Sequence, residues 1–132
     1  MAQKALELIL IRQLATRLAL PMFVIDTTSR LLFYNAAAER ILGRRFAETG
    51  ELAAEEWTSG LDPTDEQGAP LPPAKQPLLI ASRERRPAHG RLWVRGLDNV
   101  RRLVDATCFP LVGMGDHHLG VVAITWPVEE PA

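Results

Sequence analysis

The sequence predicts an α+β fold, a five-stranded antiparallel sheet with helices on one face and an N-terminal amphipathic helix. Two observations carry this. Short strand-like runs cluster at the two ends of the chain, MFVID and LLFY first, then RLWVR, RRLVDATCF and LGVVAITW. Helical patterns lie before the first pair and between the two groups.

Each element has a local reason. Over residues 3–19, Leu6, Leu10, Leu14 and Leu18 recur four apart with Ile11 beside them, and Pro21 ends the pattern. Leu8 and Ile9 lie off that stripe, so the helix presents apolar surface on more than one face. MFVID and LLFY are strands, and Asp26, Thr27, Thr28 and Ser29 supply turn chemistry between them. Asn35 stands where an N-cap belongs, AAAERIL is the helix it starts, and Gly43 can take the left-handed C-terminal position. As a cap alone, Asn35 is worth about 1 kcal/mol.

From Arg44 to Pro73 the pattern weakens into short helices and loops. KQPLLIASRERR reads as a longer helix starting near Ala74 or Lys75, with Pro77 in its first turn. In RLWVR, Leu92 and Val94 share one face. In the next strand Val104, Ala106 and Cys108 share one face, and Asp105 and Thr107 mark the more solvated side. LGVVAITW is apolar at both parities, as expected of a central strand covered on both faces.

The bulk numbers fit one globular domain. The chain has 132 residues, 47% hydrophobic and 23% charged, with a formal net charge of −1. Cys108 is the single cysteine, which rules out an intramolecular disulfide and points to a reducing compartment. The first residues lack a signal-peptide pattern and no stretch has the length of a membrane span, so a cytoplasmic location without membrane attachment is expected. Arg83, Arg85, Arg86, Arg91, Arg95, Arg101 and Arg102 form a basic run that could meet phosphates. No nucleic-acid motif accompanies it, and solvated faces of a helix and a hairpin account for it better.

Three stretches together resemble the PAS domain family of sensory and interaction modules: MFVIDTTSRLLFYNAAAERILG, DEQGAPLPPAKQPLLIA and CFPLVGMGDHHLGVVAI. The resemblance runs from about Leu20 to Trp126 and implies a PAS-like sheet, with residues 1–20 as a packing or dimerisation helix, 21–128 as the sensor domain and 129–132 as a tail. It is specific for fold and says little about ligand. Flavin-binding light sensors of the family carry a cysteine on the helix before the long one, and no cysteine precedes Cys108 here. Haem-binding members use a histidine on the long helix, and residues 74–86 contain none. Cysteinyl-flavin and haem chemistry are therefore disfavoured, and the cofactor, if there is one, is unknown.

The candidate site lies between the inner sheet face and the long helix. Phe23, Ile25, Leu79, Val104, Ala106, Cys108, Val122 and Ile124 are expected to line a cavity, with Ala106 and Cys108 small where a filled core would place bulk. No Arg or Lys falls at these inward parities, which favours an apolar or aromatic ligand over a phosphorylated one. Leu6, Leu10, Ile11, Leu14, Leu18 and Trp93 are the dimer-interface candidates, the helix lying on the outer sheet face near Trp93 and Phe109 and meeting a second copy. Asp26, Asn35 and Gly43 are structural caps. Asp116, His117 and His118 sit at a hairpin tip where a metal is conceivable, but adjacent strand residues point to opposite faces, so no metal site is assigned.

No nucleophile, acid–base pair or phosphate loop supports an enzyme, and no catalytic residue is assigned. The expected function is a dimeric signal-transduction sensor with a small-molecule ligand. The alternative is a ligand-free adaptor joining partner proteins, and a catalytic domain on this fold ranks third. The chain ends at VEEPA without an output segment, which fits either a stand-alone adaptor or a sensor piece of a larger regulator.

Overall fold

The computed structural model describes residues 6–128. The expected start of the first helix at residue 3 and the tail 129–132 lie outside the described residues. Helix α1 (Leu6–Arg17) leads into β1 (Met22–Asp26) and β2 (Leu31–Tyr34). Three short helices follow, α2 (Ala36–Leu42), α3 (Phe46–Thr49) and α4 (Ala54–Thr58). A 3₁₀ turn at Pro73–Lys75 precedes α5 (Pro77–Glu84), and β3 (Ala88–Arg95), β4 (Arg101–Val112) and β5 (His118–Pro127) complete the chain.

The strands form one five-stranded sheet in the order β2-β1-β5-β4-β3, with every neighbouring pair antiparallel. The two ends of the chain thus meet at the centre, where β1 pairs with β5. β5 is covered on both sides, as its unbroken apolar run predicts. Phe23, Ile25, Val104, Ala106, Cys108, Val121 and Ala123 join the core under α2, α4 and α5. On the opposite face Met22, Val24, Phe33 and Val122 pack with Ala15 of α1, and Leu8, Ile11, Leu18, Phe109 and Ile124 border that second core. Each fully buried side chain of this size contributes roughly 1.5–3 kcal/mol.

The longer helix begins two to three residues later than the sequence suggests. A proline is tolerated best at the first helical position, and Pro77 takes it, leaving Pro73–Lys75 as a separate 3₁₀ turn.

The caps form, and one of them does more than cap. Asp26 Oδ1 accepts from Thr28 N at 2.8 Å and Arg30 N at 2.9 Å, closing the β1–β2 turn. Gly43 ends α2 at φ 79°, and its N–H donates to Glu39 O. Asn35 Oδ1 accepts from Ala38 N at 3.0 Å, which is the cap, and also from Met22 N at 3.1 Å. Its Nδ2 donates to Ala15 O at 2.8 Å and Leu20 O at 2.7 Å. At 3% exposure this side chain fastens the end of α1, the start of β1 and the start of α2 at one point.

Candidate functional site: a cavity on the inner sheet face

A cavity of about 110 Å³ lies between the inner face of the sheet and α2, α4 and α5. Small residues in register on two adjacent strands form its floor: Cys108 of β4 pairs with Ala123 of β5, and Ala106 pairs with Thr125. Four small residues in a block leave space that ordinary core side chains would fill. Beyond Ala106 its partner on β3 is Gly90, and Pro77 of the cavity wall stands 3.4 Å from where a β-carbon on Gly90 would lie. Ile41, Leu42, Trp57 and Leu78 wall the cavity from the helical side. Trp57 is held there by its Nε1–H, which donates to Ser29 O at 2.8 Å.

Five of the expected lining residues, Phe23, Ile25, Val104, Ala106 and Cys108, stand on this wall. Leu79, Val122 and Ile124 do not. The helix starting at Pro77 turns Leu78 rather than Leu79 toward the sheet. Phe23 pairs with Ala123, and directly paired residues share a face, so Ala123 and Thr125 point inward while Val122 and Ile124 pack in the α1 core. Hydropathy does not reveal the phase of a strand apolar at both parities; size gives a partial signal, because Ala123 and Thr125 are smaller than the Val122 and Ile124 with which they alternate.

One cation does reach the wall, contrary to the sequence expectation. Arg95 closes β3, where pleat alternation gives way to the turn, and its Nη2 lies 3.9 Å from Asp62 Oδ2. It is five residues along β3 from Gly90, about 17 Å at the usual strand rise, so it belongs to the far end and not to the small-residue floor. Arg95 and Cys108 are the ionisable groups of the lining. Burial pushes the Cys108 thiol up to about 12, so it stays protonated and behaves as a small apolar side chain.

The dimer-interface candidates divide. Leu6, Leu10 and Leu14 are exposed by 65%, 53% and 51%, and Ile9 joins them at 42%. Ile11 and Leu18 instead pack on the sheet with Leu8 and Ala15, at the i, i+3, i+4 spacing of a docked helix. Trp93 is remote from α1. It lies on β3, the far edge strand, where its Nε1 approaches Glu66 O at 3.4 Å.

The basic run is largely engaged with carboxylates. Arg91 makes a two-point pair with Asp105 at 2.9 and 3.0 Å, Arg101 meets Asp62 at 3.0 Å and Arg102 meets Asp98 at 2.7 Å. Among the described residues no group of His, Cys, Asp and Glu is placed to hold a metal ion. Within the same residues no helix is long and apolar enough to cross a membrane.

A helix-covered antiparallel sheet of this order, with its cavity between the inner face and the helices, defines the class as a single-sheet α+β domain. The chain belongs to the PAS family: the family profile described as PAS domain matches residues 9–75. PAS domains are typical of sensory and signalling proteins and are generally regulatory rather than enzymatic. Solved structures agree in fold. The PAS domain of a Colwellia psychrerythraea protein superposes with a TM-score of 0.64 at 12% identity, covering 92% of this chain and 96% of that one. The PAS domain of nitrogen regulation protein NR(II) from Vibrio parahaemolyticus gives 0.64 at 13% identity, covering 90% and 98%. The Rhodobacter sphaeroides LOV protein gives 0.71 at 15% identity, covering 93% and 68%. These identities establish the fold alone. No curated protein sequence matches this chain.

Proposed function

We propose that this domain is a sensor that binds a small, largely apolar molecule in the sheet–helix cavity. The observation that carries the reading is the small-residue floor, since Ala106, Cys108 and Ala123 forgo burial that larger side chains would supply. A volume of about 110 Å³ is of the order of an apolar protein cavity that admits benzene. It is well below the roughly 300–1,000 Å³ of sites for drug-sized ligands, which supports a ligand smaller than a haem or a flavin. The lone cysteine supports a reducing, cytoplasmic setting.

Native mass spectrometry of freshly purified protein, paired with thermal unfolding in saturating benzene, tests this. Retained small-molecule mass or a benzene-dependent rise in Tm is expected. No added mass together with an unmoved Tm refutes the cavity as a ligand site.

A second reading concerns assembly, and it rests on the exposed Leu6, Ile9, Leu10 and Leu14. Burying such residues against a second copy in a two-fold arrangement recovers roughly 1.5–3 kcal/mol apiece when burial is complete. The same face suits a signalling partner protein. Sedimentation of wild type and a Leu10→Glu, Leu14→Glu double variant decides between them. A dimer that the variant converts to monomer is expected, and a monomeric wild type or a variant that still dimerises removes α1 as the dimer element.

A further inference from the structure

We propose that Thr125 is the polar anchor of the cavity, so that the ligand is a small neutral molecule with an apolar body and one hydroxyl or carbonyl group. This rests on the sensor reading above and specifies its chemistry. Thr125 is 7% exposed, and its Oγ1 has no hydrogen-bond partner among the described residues although it is buried. A buried hydroxyl left unpaired is costly, and native proteins satisfy nearly all of them. The strand pleat accounts for its aim. Thr125 pairs with Ala106 on the inner face and lines the cavity, while its backbone N–H is already used by Pro21 O at 2.9 Å.

The other uncharged hydrogen-bonding side chains of the wall have structural duties. Gln76 Nε2 donates to Leu71 O at 2.9 Å, fixing the loop before α5, and the Trp57 indole is held by Ser29. Thr125 alone among them has a polar atom that is buried and unmatched by the protein. Its neighbours on the floor, Ala106, Cys108 and Ala123, bring no charge, so an ionised group pressed against this hydroxyl would lose its hydration without a counter-ion. A neutral hydroxyl or carbonyl can meet Oγ1, because a threonine hydroxyl both donates and accepts. The rest of such a molecule would lie over apolar floor. A valine at this position would keep the shape and forgo the hydrogen bond.

The test compares phenol and benzene, which differ by one hydroxyl, on wild type, Thr125→Val and Thr125→Ser, with affinities from titration followed by heteronuclear NMR. Thr125→Val is expected to weaken phenol roughly three- to tenfold, the range of one net hydrogen bond, while leaving benzene within twofold or tighter. Thr125→Ser keeps the hydroxyl and is expected to retain the phenol affinity. In ligand-free protein Thr125→Val should raise Tm, since it removes an unpaired buried hydroxyl without opening a void. Phenol insensitive to Thr125→Val, equal losses for phenol and benzene, or a lowered Tm in ligand-free Thr125→Val would each overturn the anchor while leaving the cavity standing. Failure of both probes to bind wild type would overturn the anchor and the sensor reading together.

Discussion

Replacing Asn35 by Ala should destabilise the domain by about 3–5 kcal/mol, several times the value of a helix cap. The cap itself, Ala38 N to Asn35 Oδ1 at 3.0 Å, accounts for roughly 1 kcal/mol. The substitution also strips Met22 N of its bond to Asn35 Oδ1, and a buried backbone group left without its partner costs about 1–3 kcal/mol. Ala15 O keeps the N–H of Leu18 at 3.2 Å and Leu20 O lies near the surface, so loss of their bonds to Asn35 Nδ2 adds about 1 kcal/mol. Against the 5–15 kcal/mol that holds a typical domain, this is a large fraction. For a chain of 132 residues it corresponds to roughly 11–18 °C in Tm. Urea unfolding of wild type, Asn35→Ala and Asn35→Asp measures it. Asp is as good an N-cap as Asn, so a capping role alone would leave Asn35→Asp close to wild type. The observed geometry turns a carboxylate oxygen toward the carbonyls of Ala15 and Leu20, and predicts that Asn35→Asp is also strongly destabilised. A loss below about 1.5 kcal/mol for Asn35→Ala, or a near-neutral Asn35→Asp at pH 7, would refute the hub.

Two further outcomes follow from the same structure. Gly43→Ala should cost about 2 kcal/mol in urea unfolding, because φ 79° is left-handed and the added β-carbon would collide with the Asp98 carboxylate, which pairs with Arg102; a change under about 0.5 kcal/mol would show that Asp98 yields freely. Cys108 links stability to alkaline pH: its thiol is pushed from about 8.5 up to about 12 in the folded state, so its contribution is intact below pH 8.5 and is lost as pH rises toward 12. Between pH 8.5 and 10.5 wild type should lose about 2–3 kcal/mol more than Cys108→Ala, and equal slopes for the two proteins would refute the buried thiol.

The five strands could be anticipated because turns and alternation are local signals, and DTTSR, GLDN and GMGDHH mark the connections; the β1–β5 pairing that sets the strand order joins the two ends of the chain and no local signal encodes it. Asn35 announced itself as a cap through its position before AAAERIL. Its bonds to Ala15, Leu20 and Met22 join segments up to 20 residues apart, and no local pattern encodes them. The cavity was half legible for the same reason. Val104, Ala106 and Cys108 declare their face because Asp105 and Thr107 declare the other. On β5 both parities are apolar, so its phase is set by pairing with β1 and β4. Leu79 was misplaced through a helix start that only the backbone at Pro77 fixes. Trp57 lies in a stretch too weakly patterned to place, and it reaches the cavity wall through its bond to the β1–β2 turn.

The alternation that hid the phase of β5 also bears on how a sensor of this kind would report. Ala123 and Thr125 line the cavity, while Val122 and Ile124, one residue removed along the same backbone, pack in the core under α1. The two sites are thus the two faces of a single strand, and β5 cannot shift against one without shifting against the other. Asn35 adds a second tie, holding the end of α1 to the start of β1, whose Phe23 and Ile25 face the cavity. Proximity alone transmits nothing, because a ligand moves an equilibrium only by the difference in its affinity for the two states. A molecule that fits the present floor without displacing β5 would bind silently. One that needs the strand displaced must break packing between Val122 and the α1 core, and close-packed interiors resist such displacement in discrete steps. Signalling through this sheet would therefore be set by the size of the bound molecule relative to the gap above Ala106, Cys108 and Ala123, more than by the strength with which it binds.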